Sequence, residues 1–229
     1  MGKIFNFDGP FFSSMSRLAD LFWLNILYII CCIPVITIGA ATTALYYVTL
    51  KMVKDEESYI TKSFFKSFKD NFKQATIIWI IFIVVILVMI CDLTMLNGGT
   101  LANLVNNSSV STAVLIAVGV VGILVLFVFT YVFALLAQFD NTVVNTIKNA
   151  LLISIRHLPF TVSMIVISLI PYVLMYFSAY GMLITVIMFS LTAYINSKFF
   201  KNIFVLYMPK EEVTEENEDE KVFHDESIN

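Results

Sequence analysis

Long apolar runs dominate this chain and decide what it can fold into. The four clearest runs cover residues 75–96, 110–137, 159–177 and 181–205, and each is long enough to cross a hydrocarbon core of about 30 Å as a helix. Backbone polar groups in lipid must be bonded within the spanning structure, and the runs lack the alternation of a β-barrel strand. With only 14% charged residues, the chain would leave large apolar faces in water if it were soluble. The runs therefore predict transmembrane helices.

The first apolar stretch, residues 18–53, is interrupted by Pro34. As one straight helix, its apolar part would be about 45 Å long, which exceeds the hydrocarbon core. Proline removes a backbone donor and breaks or kinks a helix, and Thr37 is a candidate cap for the second half. Two paths fit: one kinked crossing, or a re-entrant hairpin with both ends on the same side. The predicted fold is an all-α polytopic transmembrane bundle of about five spans, with the first kinked or re-entrant at Pro34.

Basic residues alternate between the loops. The 51–74 loop contains six lysines, the 97–109 loop contains no basic residue, and the 138–158 loop contains Lys148 and Arg156. Cytoplasmic loops of membrane proteins carry an excess of lysine and arginine. The pattern predicts a multi-pass protein of the cell membrane whose 51–74 and 138–158 loops and C-terminus are cytoplasmic.

The two ends of the chain differ in charge. Residues 209–229 hold nine carboxylates and two lysines, a net charge of −7, so the remainder carries +4 of the total of −3. Such a charged segment without apolar periodicity is typical of disorder. We expect a transmembrane helical domain over residues 1–208 and an acidic disordered tail over 209–229. The basic residues flank apolar spans and leave no basic stripe, so nucleic acid is not an expected partner.

Two stretches between spans have the pattern of cytoplasmic amphipathic helices, near 62–73 and 140–157. In the first, at 100° per residue, four lysines fall within an arc of about 60° and four phenylalanines within about 100°. This predicts a helix in the membrane surface, with its rings in the acyl boundary; the alternative is a docking element for a cytoplasmic partner. Its members are Lys62, Lys66, Lys69, Lys73, Phe64, Phe65, Phe68 and Phe72.

Small residues cluster within two of the apolar runs. Gly39 and Thr43 belong to one cluster, and Gly119 and Gly122 belong to the other. Small residues let helix backbones approach closely in membranes. The four positions are a candidate partner interface, and packing within the chain is the alternative.

Motifs of enzymatic chemistry are missing from the sequence. It contains no G-x-x-x-x-G-K-[ST] phosphate loop, no H-E-x-x-H and no G-x-S-x-G. We expect no catalytic, cofactor-binding or metal-binding residues, and no enzymatic activity. Charges at mid-depth mark ion-coupled carriers, and Asp92 lies near a span end instead. Trp23 and Asn25 are the candidates for a neutral-solute path, and packing is their alternative role.

Four stretches of the sequence have a familiar pattern: NFDGPFF, PVITIGA at residues 34–40, Ala44-Leu45-Tyr46 and KNALLISIRHLP at 148–159. In them, and over most of residues 5–206, the chain resembles the YesL-like family of Gram-positive bacterial membrane proteins, whose function is unknown. Genes of this family typically lie beside carbohydrate ABC importer genes. The resemblance therefore implies a non-enzymatic accessory subunit that contacts the importer's permease subunits. A small neutral-solute (sugar) transporter acting alone is the alternative, and the lipid bilayer is an expected partner of either.

Overall fold

The computed structural model describes residues 10–56, 59–98, 108–177 and 181–208, and within them it contains seven α-helices and no strand. The predicted all-α class is confirmed. The tail over 209–229 lies outside the described residues. The helices are α1 (Pro10–Cys32), α2 (Ile38–Val53), α3 (Ile60–Gly98), α4 (Ser108–Gln138), α5 (Val143–Arg156), α6 (Leu158–Phe177) and α7 (Gly181–Phe204).

Among the described residues, α1 to α4 are each long and apolar enough to cross a bilayer. A further candidate is the pair α5 and α6, which is bent by 102° at its junction. These helices are those of a multi-pass membrane protein, in agreement with the predicted bundle of about five spans.

Helices α1 and α2 form an antiparallel hairpin. The Arg17 guanidinium near the start of α1 pairs with the Asp55 carboxylate just after α2. Nearer the turn, the hydroxyls of Tyr28 and Thr42 lie 3.5 Å apart. A single kinked crossing would place Arg17 and Asp55 at opposite ends, so of the two paths open to residues 18–53, the structure takes the re-entrant one.

The break at Pro34 is stabilised by side chains that bond the exposed backbone. A short 3₁₀ turn, Val35–Thr37, leads from the proline into α2. The Thr37 hydroxyl donates to the carbonyls of Cys31 and Pro34 at 2.6 Å, and Trp79 Nε1 donates to the Val35 carbonyl at 2.7 Å. Thr37 occupies the N-cap position of α2, as predicted, but its hydroxyl bonds carbonyls that precede the helix and makes no side-chain cap bond. Unbonded carbonyls would be costly in an apolar setting.

The later helices also pair antiparallel. Trp79 and Phe129 contact each other across α3 and α4, and further along a Cβ built on Gly122 would lie 3.0 Å from Met89 Cε. In the next pair, Asn196 of α7 donates to the Ser168 hydroxyl of α6 at 3.0 Å.

Helix α7 also runs antiparallel to α1. The Arg17 guanidinium donates to the Tyr194 hydroxyl, whereas Tyr28, further along α1, contacts Phe189, which is earlier in α7. Helices α1, α3 and α6 therefore run one way, and α2, α4 and α7 run the other. The start of α3 and the end of α4 share one end of the bundle, which we call the lysine end.

Helix α2 is the centre of the bundle. It packs against α1, α3, α4 and α7, and nine of its residues are buried, among them Ala40, Ala41 and Ala44. Side chains this small let four neighbours approach one helix. The local sequence thus explains why α2 is the most enclosed of the four candidate spans α1 to α4.

A sharp corner joins α5 to α6. The Thr161 hydroxyl bridges it by bonding the Ser154 carbonyl at 2.8 Å, and the Tyr131 hydroxyl of α4 bonds Thr161 at 2.9 Å. Pro159 lies in the first turn of α6, where a missing backbone donor costs nothing. The corner is therefore held by a bond between α5 and α6 and by a second bond to α4.

Candidate interaction surfaces

The first small-residue pair is buried inside the bundle. Thr43 has no exposed surface, and its hydroxyl donates to the Gly39 carbonyl at 3.0 Å. A Cβ built on Gly39 would lie 2.5 Å from the Ala75 carbonyl oxygen and 2.8 Å from Trp79 Cβ. Gly39 brings α2 and α3 together, and neither residue presents a surface to a partner. For this pair the structure shows packing within the chain.

The second pair lies on α4 and is more open. A Cβ built on Gly119 would have no atom within 4 Å, whereas one on Gly122 would approach Met89 of α3. Gly122 therefore faces α3, and Gly119 faces away from the protein. Only Gly119 of the four predicted interface positions leaves an unfilled gap at the surface.

Gly119 lies on an apolar hairpin that extends past the turn between α1 and α2. The turn is level with Trp79, to which Val35 is bonded, and α3 continues to Gly98. We call residues 80–94 of α3 and 112–126 of α4 the distal hairpin. Large apolar side chains on both helices are more than a third exposed, including Ile80, Ile81, Val84 and Leu87 on α3 and Leu115, Ile116, Val120 and Ile123 on α4.

The predicted membrane-surface helix, 62–73, is instead the first part of α3 and continues without a break into the span. Phe64 is fully buried against Leu24 and Val48 of the α1–α2 hairpin, with Phe68 packed beside it. For Phe64 the predicted lipid contact is wrong, since protein covers that ring. Phe65 and Phe72 stay 38% and 39% exposed, and all four lysines, Lys62, Lys66, Lys69 and Lys73, are exposed.

The amphipathic helix predicted near 140–157 is present at 143–156, as α5. Its buried residues are mostly small, namely Thr146, Ala150 and Ser154, together with Ile153. Ile147 and Leu151 pack against the core, whereas Val144 and Leu152 are 59% and 66% exposed. A groove of about 600 Å³ follows the edge of α5, lined by Leu135, Phe139, Asn149, Arg156, Tyr207 and their neighbours.

The two residues singled out for a neutral-solute path have partners in the structure. Asn25 is 2% exposed, and its Oδ1 accepts hydrogen bonds from the Ser190 backbone N–H at 3.3 Å and hydroxyl at 3.1 Å. Trp23 Nε1 donates to the Thr61 hydroxyl at 2.9 Å. Both side chains join helices that are far apart in sequence, α1 to α7 and α1 to α3.

We predict that Asn25→Ala lowers stability by about 1 kcal/mol, because interhelical polar bonds in membranes contribute about that much. Ser190→Ala should remove the hydroxyl part of the same contact, so the two losses should not add. Thermal unfolding of the single and double variants in mild detergent measures this. Full additivity would show that the contact is not formed.

Potential metal ligands are scattered. Cys31 and Cys32 lie at the end of α1, and Cys91 is exposed on α3. Over the residues that the structure describes, no three His, Cys, Asp or Glu side chains come together as ligands.

Comparison with known proteins gives a match to a family model. No curated protein and no solved structure matches the chain. The matching family model is described as a protein of unknown function, DUF624, the family that includes the YesL-like proteins. It matches residues 21–93, which span most of α1, all of α2 and most of α3. The match therefore falls on the helices around which the bundle is built.

Proposed function

We propose that this protein is a non-enzymatic accessory subunit that docks its distal hairpin against another polytopic membrane protein. The observation that carries the proposal is Gly119, a gap without a side chain between large apolar groups on the same face of α4. Leu115, Ile116 and Ile123, one turn away on either side, are 48%, 63% and 54% exposed. Together they form a notch into which a side chain of another helix can insert.

The chain itself shows how such a glycine is used. At Gly39 the missing Cβ lets the Ala75 backbone approach α2 so closely that even a methyl group would clash. Close backbone approach increases dispersion contact, which drives helix association where lipid offers no hydrophobic gain. Gly119 also lacks a Cβ, and no helix within the described part of the chain packs against it. A helix from another protein would complete the contact.

The partner that we propose is the pair of permease subunits of a carbohydrate ABC importer. This identification rests on the resemblance to YesL-like proteins, whose genes typically lie beside such importers. The chemistry of the distal hairpin is compatible with it, because permease subunits are themselves apolar helical bundles.

The test is co-purification with the importer in mild detergent. We expect Gly119→Leu to reduce the recovered permease at least tenfold, because the leucine fills the notch and separates the helices. Gly119→Ala, which adds one methyl, should lose less. The isolated protein should keep its thermal stability, since nothing lies within 4 Å of the new Cβ.

The matched control is Ala117→Leu. Ala117 is also an exposed small residue of α4, and its side chain projects about 160° away from position 119. Recovery of the importer should be unchanged by this variant. Equal losses for both leucines, or solute uptake by the purified protein alone in liposomes with no partner recovered, would contradict the proposal.

A further inference from the structure

A groove of about 820 Å³ runs between α1 and the first turns of α3. Lys62, Lys66 and Lys69 line its α3 side together with Phe65, and Trp23 and Asp20 line its α1 side. It lies at the lysine end, away from the distal hairpin. The proposed docking surface on the distal hairpin shares no residue with this groove.

The groove is strongly cationic. Each of the three lysines is exposed, and none has a carboxylate within 4.0 Å among the residues that the structure describes. Asp20 is the one carboxylate in its lining, which leaves a formal charge of +2. Three ammonium groups on successive turns of one helix present several donors to a single anion.

The walls of the groove are aromatic and fixed in place. Trp23 is 48% exposed, and the bond from its Nε1 to the Thr61 hydroxyl sets the direction of the indole ring. Phe65 is 38% exposed and stacks edge-on against the buried Phe64. Aromatic rings beside ammonium groups are typical of membrane–water interfaces.

The lysine stripe continues directly into an apolar stripe on the same face of α3. At 100° per residue, Ile77, Ile80, Val84 and Leu87 fall within the same arc of about 80° as the lysines. These four side chains are 41%, 46%, 52% and 60% exposed. Along one helix face, the surface therefore passes from cationic to apolar within two turns.

The geometry points to a binding site for one anionic phospholipid with a hydroxylated headgroup, of which phosphatidylglycerol is the simplest. The phosphate lies among Lys62, Lys66 and Lys69, and the acyl chains extend along the apolar stripe of α3. The headgroup hydroxyls donate hydrogen bonds to the Asp20 carboxylate. A phosphate without such hydroxyls would have no donor for this carboxylate. A soluble phosphate compound would use the lysines but leave the stripe uncovered.

The test uses tryptophan quenching by brominated lipids in vesicles of phosphatidylcholine that contain the full-length protein. Brominated phosphatidylglycerol, at a small mole fraction, should quench more strongly than brominated phosphatidylcholine at the same fraction, because Trp23 lines the groove. In Lys66→Gln/Lys69→Gln the preference should fall about 25-fold, since each lysine near the surface contributes about fivefold. Trp79, the other tryptophan of the chain, is present in the wild type and in each variant.

The control is Lys148→Gln/Lys198→Gln, which removes two exposed lysines elsewhere and changes the net charge equally. Its preference should match that of the wild type. Equal quenching by the two lipids, or equal losses in both double variants, would overturn the site. Displacement of the lipid by millimolar glycerol phosphate would also overturn it, because the ligand would then be a soluble phosphate.

Discussion

Gly39→Leu is expected to prevent the bundle from forming, so that the variant is recovered aggregated or not at all from mild detergent. Even a methyl group at this position would lie 2.5 Å from the Ala75 carbonyl oxygen and 2.8 Å from Trp79 Cβ. Both are parts of α3 that cannot rotate away. Separating α2 from α3 would also pull Trp79 from the Val35 carbonyl to which it donates at 2.7 Å.

A graded series makes this result specific. Gly39→Ala should cost about 1–3 kcal/mol by overpacking, which corresponds to a fall of about 5 °C in melting temperature. Gly119→Ala places the same methyl group in open space on α4 and should leave the melting temperature within about 1 °C. Equal stability of the two alanine variants would show that α2 and α3 are further apart than the structure places them.

The fold was largely predictable from the sequence because span length and continuity depend on local composition. The path of residues 18–53 was not. The choice between a kinked crossing and a hairpin depends on contacts such as that of Arg17 with Asp55, which lie 38 residues apart. Pro34 marks the break in the sequence but does not set the direction in which the chain continues.

The candidate surfaces were only partly predictable for a reason particular to membranes. Periodicity identifies an apolar face, but lipid and protein interior are equally apolar, so it does not say which of them covers that face. The ring of Phe64 is accordingly covered by α1 and α2, although its spacing suits a lipid contact equally well. In α5 the small Ala150 and Ser154 are buried together with Ile153, whereas the large Leu152 is exposed.

Among the small residues, spacing did not separate Gly39 from Gly119. Both lie in apolar helices with other small residues nearby, and the difference is whether another helix of the same chain occupies the space in front of the glycine. That depends on the tertiary arrangement. A sequence signal that could have helped is the density of small residues, which is higher around the buried position, in Gly39-Ala40-Ala41, than around Gly119.

The second large effect that we expect is an all-or-none pattern of cysteine labelling in intact cells. Single cysteines at Met15, Lys66 and Lys148, all exposed positions, should react with an impermeant maleimide only after the membrane is opened. Ala113 lies near the start of α4, at the opposite end of the bundle from the lysine end, and a cysteine there should react while the membrane is still intact. The background for these variants replaces Cys31, Cys32 and Cys91 with alanine.

Labelling at Met15 distinguishes the hairpin from a single kinked crossing of residues 18–53. The hairpin pairs the start of α1 with the residues after α2, so Met15 must lie on the same side as Lys66. A single kinked crossing would place these two on opposite sides, and Met15 would then label from outside while Lys66 stayed protected. The absolute direction rests on separate reasoning, because the lysines that begin α3 favour the cytoplasm. Reversal of the whole pattern, with Met15 and Lys66 labelled and Ala113 protected, would therefore contradict the orientation and leave the hairpin intact.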